Sequence, residues 1–98
     1  MTALPHQSLE EVFARFAEAV RRGDVEAFRA LCAPDVPPQE ALFLRNARKK
    51  LSLVFRSARI DAEVATVSFE VLGPGGEHLD VGEAVFTQEA GGWKLRGL

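Results

Sequence analysis

The spacing of apolar residues changes from helical to strand-like near the middle of the chain, and this change constrains the fold. Before residue 50, Leu9, Phe13, Phe16 and Val20 recur every three or four positions, as on one face of an amphipathic helix. After residue 50, apolar and polar residues alternate, as in half-buried strands. A helical half followed by a strand half predicts an α+β fold. The 98 residues leave room for one domain, so we assign residues 1–98 to a single domain.

Three helices are predicted in the first half of the chain, over residues 9–22, 25–32 and 38–50. Ser8 and Glu11 form a capping box that starts the first helix. Glycine and aspartate residues separate the first two helices, and prolines precede the third. The first two helices therefore form a tight hairpin.

Four strands are predicted in the second half, over residues 51–60, 63–72, 77–88 and 93–98. Short connections, two of them rich in glycine, join these strands. Sequential strands with short connections make an antiparallel meander, and helices on one face complete the layer pair. We therefore expect three helices packed on a curved four-stranded antiparallel sheet.

The apolar residues of the third strand change phase at Gly82: Leu79 and Val81 precede it, and Ala84 and Phe86 follow it. A β-bulge at Gly82 would return all four side chains to the core face, and glycine tolerates bulges well. This bulge predicts that the polar residues before Gly82 point away from the helices.

Three ionisable residues of this strand are the candidates for catalysis. His78 and Asp80 lie two positions apart, so they share a face and could form an acid–base pair, or simply a polar strand face exposed to solvent. Glu83 lies at the predicted bulge, where side chains are re-aimed, and it fits either an inward carboxylate or a rim position.

Charge and cysteine content exclude several partners. The net charge of −2 predicts neither a nucleic-acid partner nor an acidic membrane surface. No stretch approaches the roughly 18 apolar residues of a membrane span. Cys32 is the single cysteine, and no Cys and His residues have the spacing of zinc ligands. We expect a cytoplasmic protein without cofactor or metal.

Two sets of apolar residues are candidates for a binding role. The first is aromatic and either lines a small ligand pocket or fills the core; it comprises Phe13, Phe16, Phe55, Phe69, Phe86 and Trp93. The second faces outward if strict alternation holds; it comprises Val54, Ala58, Ile60 and Val64. Strands that are apolar on both faces need cover on both faces. This second set therefore predicts a homodimer through the open face of the sheet.

The helix junction at Gly23 and Asp24 and the closing hairpin through Gly91, Gly92 and Trp93 resemble the nuclear-transport-factor-2-like superfamily. That group includes SnoaL-like polyketide cyclases and ketosteroid isomerase, and the similarity covers roughly residues 9–95. It implies a cystatin-like cone, in which a bent sheet wraps the helices and the space between them either holds a small apolar ligand or is filled by side chains. It also implies a dimer for many members. This chain contains no tyrosine, so it lacks the tyrosine donor that isomerase-type members use.

These features predict a non-catalytic module that binds a small apolar ligand or that mediates protein interaction by dimerising. The alternative is a SnoaL-like isomerase, cyclase or hydrolase that acts on a small apolar substrate. In that alternative, Glu83 or the pair of His78 and Asp80 carries the chemistry.

Overall fold

The described part of the chain contains two helices and one antiparallel sheet. A computed structural model describes residues 5–35, 43, 45, 47–90 and 92–97. In chain order the elements are α1 (Pro5–Arg22), α2 (Val25–Leu31), β1 (Ser52–Asp61), β2 (Val64–Leu72), β3 (His78–Glu89) and β4 (Gly92–Gly97). The strands pair in the order β1-β2-β3-β4. The α+β class and the four-stranded antiparallel meander are confirmed.

Helix α1 begins at Pro5, earlier than predicted. The capping box was the wrong start signal, since Ser8 already lies within the helix. Proline suits a first helical position because its φ is fixed and it has no N–H to satisfy. Gly23 follows the helix with a φ of +69°, which is the left-handed conformation expected at a helix end.

Asp24 caps α2 as predicted. Its carboxylate accepts a hydrogen bond from the backbone N–H of Ala27 at 3.1 Å. The chain after α2 then joins the sheet, because the N–H of Ala33 donates to the carbonyl of Leu95 at 2.8 Å. This hydrogen bond attaches the helical hairpin to the edge of β4 that does not pair with β3.

The predicted third helix, residues 38–50, lies mostly outside the described residues. Within it, Phe43, Arg45, Ala47 and Arg48 have helical backbone. Phe43 is buried, and its ring stacks on that of Phe28 with centroids 4.4 Å apart.

The core lies between α1 and one face of the sheet, which we call the inner face. The inner face carries Ala65, Val67 and Phe69 of β2, whereas the opposite side is called the outer face. Phe13 of α1 lies with its ring centroid 5.5 Å from that of Phe69. The side chains that form this core are Leu9, Phe13, Phe16, Ala19, Val20, Phe28, Leu31, Phe43, Ala65, Val67, Phe69, Ala84, Phe86, Trp93 and Leu95.

A β-bulge interrupts β1. Phe55 pairs with Phe69, but Ser57 pairs with the next residue of β2, Ser68, so Arg56 is an extra residue. A bulge of this kind reverses the alternation of the strand and bends it.

The bulge corrects the predicted outward set. Ala58 and Ile60 pair with Val67 and Ala65, which are both fully buried, and they pack against the core. Their predicted position on the outer face is wrong, because strict alternation does not hold across Arg56.

The bulge in β3 lies earlier than predicted. Val71 pairs with Asp80 and Leu72 pairs with His78, which leaves Leu79 as the extra residue. Gly82 lies in a regular part of the ladder, so the bulge predicted at Gly82 is wrong.

The displaced bulge also changes which apolar side chains are buried. Leu79 and Val81 were expected on the core face, but they are 54% and 66% exposed. Val81 pairs with Glu70 on the outer face, and Leu79 occupies the bulge.

Glycine occupies position 82 for a different structural reason. It pairs with Phe69, and a Cβ atom at Gly82 would lie 2.7 Å from Cζ of the Phe69 ring. Because glycine has no side chain, the Phe69 ring can lie directly against the backbone of β3 at this position.

Candidate functional site

A cavity of about 450 Å³ opens on the inner side of the sheet. Its wall is mainly apolar and is formed by Phe16, Val20, Phe43, Leu51, Leu53, Phe69 and Val71. Its mouth is bordered by Lys49 and by β3 from Leu79 to Glu83. The site therefore combines an apolar interior with charged residues at the entrance.

The six aromatic residues predicted to line a pocket divide into two groups. Phe16 and Phe69 line the cavity. The other four belong to the filled part of the molecule and are not in the cavity wall: Phe13, Phe55, Phe86 and Trp93. Their rings and the helices already occupy that space, so the cavity begins only beyond Phe16 and Phe69.

Two of these four side chains are closed off from solvent, whereas Phe13 and Phe55 also border a separate shallow groove between α1 and β1. Phe86 is fully buried and Trp93 is 2% exposed. Phe13 contacts the ring of Phe55, with centroids 5.8 Å apart in an edge-to-face arrangement. Sequence reasoning missed Leu51 and Phe43 as cavity residues, because their role depends on how the chain enters β1.

Asp80 has its side chain on the inner face, at the cavity mouth. It pairs with Val71 of β2, and its carboxylate accepts a hydrogen bond from the N–H of Val81 at 2.8 Å. The prediction that His78 shares its face with Asp80 is wrong, because the extra residue Leu79 separates them and reverses the alternation.

Of the two positions predicted for Glu83, the structure has the rim position and not the inward one. Glu83 pairs with Ser68 on the outer face and is exposed. It borders the cavity mouth because this part of β3 is the edge of the sheet. The pair of His78 and Asp80 therefore shares no face, whereas Asp80 and Glu83 both border the cavity mouth.

His78 contacts a different partner on the outer face. Its Nε2 atom lies 3.5 Å from Oε2 of Glu70, and Arg56 pairs with the other oxygen of the same carboxylate. These residues line a shallow groove of about 770 Å³ together with Ser68 and Glu83. The arrangement explains His78 as part of a surface network of polar side chains around Glu70.

A second polar cluster lies on β4, away from the cavity. The guanidinium of Arg96 donates to both carboxylate oxygens of Asp35, at 3.0 and 3.1 Å. These hydrogen bonds lower the pKa of the Asp35 carboxyl. Because Asp35 follows α2, the pair holds the end of the helical hairpin against the sheet.

The described residues bring together no group of three or more His, Cys, Asp or Glu side chains that could hold a metal ion. Within the same residues, neither helix is long and apolar enough to cross a membrane.

Several solved structures share this arrangement of helices and sheet. A design named Rd1NTF2_05 is 16% identical, with a TM-score of 0.71 over 93% of this chain and 94% of its own. A candidate ketosteroid isomerase from Shewanella frigidimarina is 15% identical, with a TM-score of 0.68 over 90% of this chain and 89% of its own. A conserved protein from Planctomyces limnophilus is 19% identical, with a TM-score of 0.61 over 92% of this chain and 89% of its own.

At these identities the similarity shows the fold alone. The described residues have the α+β arrangement of the nuclear-transport-factor-2-like fold, as the sequence resemblance implied. No protein-family model and no curated protein sequence matches it.

Proposed function

We propose that this domain binds a small, largely apolar molecule in the cavity on the inner side of the sheet. The observation that carries the proposal is the cavity of about 450 Å³ with a mainly apolar wall. Ligand pockets typically enclose about 300–1,000 Å³ and bury most of the ligand surface. Transfer of apolar ligand surface from water supplies the binding energy, at about 0.8 kcal/mol for each buried CH₂ group.

The cavity mouth favours a ligand with one polar end. Lys49 and Asp80 are exposed at the entrance, whereas the interior wall is formed by aromatic and aliphatic side chains. A polar group that stays at the mouth keeps its hydrogen bonds, while an apolar body fills the interior. The ligand class is therefore a small amphiphile. The candidate ketosteroid isomerase among the structural neighbours is consistent with this class, because a steroid is also a mainly apolar molecule with polar ends.

Decan-1-ol, undecanoic acid and decylamine test this proposal, because they share one decyl chain and differ only in the head group. We expect saturable binding of at least one of them, with chemical-shift changes in the amide NMR spectrum at Leu53, Phe69 and Val71. The preferred head group reports whether Lys49 or Asp80 dominates at the mouth. No saturable binding at millimolar concentration, or shift changes confined to other residues, would overturn the proposal.

A matched pair of variants locates the binding. Val71→Phe adds a ring inside the cavity, whereas Val54→Phe makes the same change on the outer face. We expect Val71→Phe to weaken binding at least tenfold and Val54→Phe to leave it unchanged. Equal effects of the two variants would place the ligand elsewhere.

We also propose that the outer face forms a homodimer contact, in the part of the sheet near β1 and β2. The supporting observation is that Val54 and Val64 are 41% and 45% exposed. Sedimentation at tens of micromolar should give a dimer, and the double variant Val54→Lys, Val64→Lys should give a monomer. A monomer for the unaltered chain would contradict this second proposal and leave the ligand proposal standing.

A further inference from the structure

We propose that the open edge of β3 binds an extended basic peptide by strand addition. This edge comprises residues 80–84. The last pairing between β3 and β4 joins Val85 to Gly97, whereas β3 pairs with β2 as far as His78. Within the described residues, the open edge therefore has a neighbouring strand on one side only. The inference concerns the sheet edge and does not depend on the cavity ligand.

The backbone groups of two residues point out of the open edge. The N–H of Gln88 donates to the carbonyl of Glu63, on the side of β2, at 2.8 Å. Backbone groups alternate sides along a strand, and β3 has no extra residue between Val81 and Gln88. The N–H and C=O groups of Val81 and Glu83 therefore point away from β2. The bond from the Val81 N–H to the Asp80 carboxylate is independent evidence of this direction.

Exposed apolar side chains accompany these backbone groups. Leu79 and Val81 are 54% and 66% exposed, against 41% and 45% for Val54 and Val64. Strand addition uses main-chain hydrogen bonds for affinity and alternate side-chain contacts for specificity. An incoming strand with one apolar residue opposite Val81 would cover this side chain on the outer face.

The negative charge of the open edge determines which kind of partner it favours. Asp80 and Glu83 lie on the open edge, and the described residues provide no salt bridge to either carboxylate. A second copy of the chain that paired through the same edge would place four carboxylates in one short ribbon, which like-charge repulsion disfavours. Asp80 lies on the inner face and Glu83 on the outer face, so the complementary partner is a peptide with two Lys residues three positions apart, one opposite each carboxylate.

Asp80 has to release one bond when the peptide binds. Its carboxylate now accepts the N–H of Val81, which is the first donor that an incoming strand would use. A peptide carbonyl would take over this N–H, and the freed carboxylate would pair with a Lys side chain of the peptide. In the free protein, Asp80 thus protects the edge against unspecific pairing, a role that charged residues have on other edge strands.

The experiment uses the whole chain and the peptide acetyl-Thr-Lys-Thr-Val-Lys-Thr-amide, with amide hydrogen exchange followed by NMR. In antiparallel pairing its two Lys residues lie opposite Glu83 and Asp80, and its Val lies opposite Val81. We expect exchange at Val81 and Glu83 to slow at least tenfold at saturation, with no change at Val67 in the centre of β2. The same peptide with N-methyl groups on the two residues opposite Val81 and Glu83 cannot donate its backbone N–H groups to this edge and should give no protection. A peptide with Glu in place of Lys should also give none.

Matched charge reversals test the role of the edge carboxylate. Glu83→Lys should weaken peptide binding at least tenfold, whereas Glu26→Lys, an equal change on exposed α2, should have no such effect. No protection at millimolar peptide, or equal effects of the N-methylated or acidic peptide, would overturn the proposal. Protection that rises with protein concentration in the absence of peptide would identify a second copy as the occupant and would also overturn it.

Discussion

Gly82 controls the position of the Phe69 ring, which forms part of the cavity wall. The two residues face each other across β2 and β3, and no side chain separates the ring from the backbone of β3. A glycine opposite an aromatic ring in a sheet lets the ring cover the exposed backbone. The shape of the cavity therefore depends on the absence of one methyl group.

Replacement of Gly82 by alanine should destabilise the protein. The new Cβ would lie 2.7 Å from Cζ of Phe69, so the ring must move, and overpacking of this kind costs about 1–3 kcal/mol. Urea denaturation should show this loss for Gly82→Ala and little change for Gly97→Ala, where no atom lies within 4 Å of the added Cβ. The cost should fall in the double variant Gly82→Ala, Phe69→Leu. Equal costs with and without the Phe69 ring would contradict the explanation.

Asp35 should make a pH-dependent contribution to stability. Hydrogen bonds from Arg96 lower the pKa of this carboxyl in the folded state. A lowered folded-state pKa means that the contribution is present at neutral pH, above the unfolded pKa, and is lost as the pH falls through the folded value. For an aspartate, this loss occurs below about pH 4.

Denaturation of the unaltered chain and of Asp35→Asn between pH 7 and pH 2.5 checks this prediction. The unaltered chain should be the more stable at neutral pH, and the difference should disappear in acid. Arg96→Gln should remove the same acid-dependent part, because it removes the other half of the pair. A difference that stays constant down to pH 2.5 would show that the Asp35 carboxylate is not the titrating group.

Among the elements, the β1–β2 hairpin contains a residue in an unfavourable conformation. Ala62 lies in its turn with a φ of +56°. The left-handed conformation costs an L-residue about 1–2 kcal/mol, whereas glycine adopts it freely. The turn therefore stores strain that a single substitution can release.

Ala62→Gly should stabilise the protein by about 0.5–1 kcal/mol, because relief of strain exceeds the added flexibility of the unfolded chain. Thermal denaturation is the measurement. Ala90→Gly is the matched control, since Ala90 is also exposed in a turn but has no positive φ, and it should be neutral or destabilising. A stabilising effect of both substitutions would rule out conformational strain as the cause.

Element boundaries with a local cause were predictable, and the β-bulges were not. The Asp24 cap and the Gly23 helix end follow from side-chain and backbone chemistry at those positions. Arg56 carries no signal for a bulge, because apolar residues occur in both phases of β1. Glycine at position 82 fits a bulge and a close ring contact equally well, and only the paired strand distinguishes them. The predicted outward position of Asp80 failed for the same reason.

At the scale of the whole molecule, the fold divides into a filled part and an open part. The sequence predicted the fold class and most of the aromatic core, including Phe13, Phe86 and Trp93. It did not separate the residues that fill the core from those that line the cavity. That division depends on the volume left between α1 and the sheet, which no single residue determines.

Hydrogen exchange should reveal a gradient of stability across the sheet. β2 pairs with β1 on one side and with β3 on the other along its whole length. Local opening of an interior strand disrupts two ladders, so its amides should exchange slowest. Amide exchange followed by NMR should give the strongest protection in β2, centred on Val67, and weak protection at Val81 and Glu83. Strong protection of Val81 and Glu83 in dilute protein alone would mean that another segment covers this edge.

The bulge at Arg56 also has a consequence for changes in chain length. Without Arg56, Phe55 would precede Ser57 directly, and regular alternation would still direct Ala58 and Ile60 to the core. Deletion of this residue would therefore preserve the burial pattern of β1 while removing the local bend. Deletion of Val54 would instead shift Leu53 to the other face. Deletion of the Arg56 codon would thus change the bend of the sheet, while the same residues of β1 would still face the core.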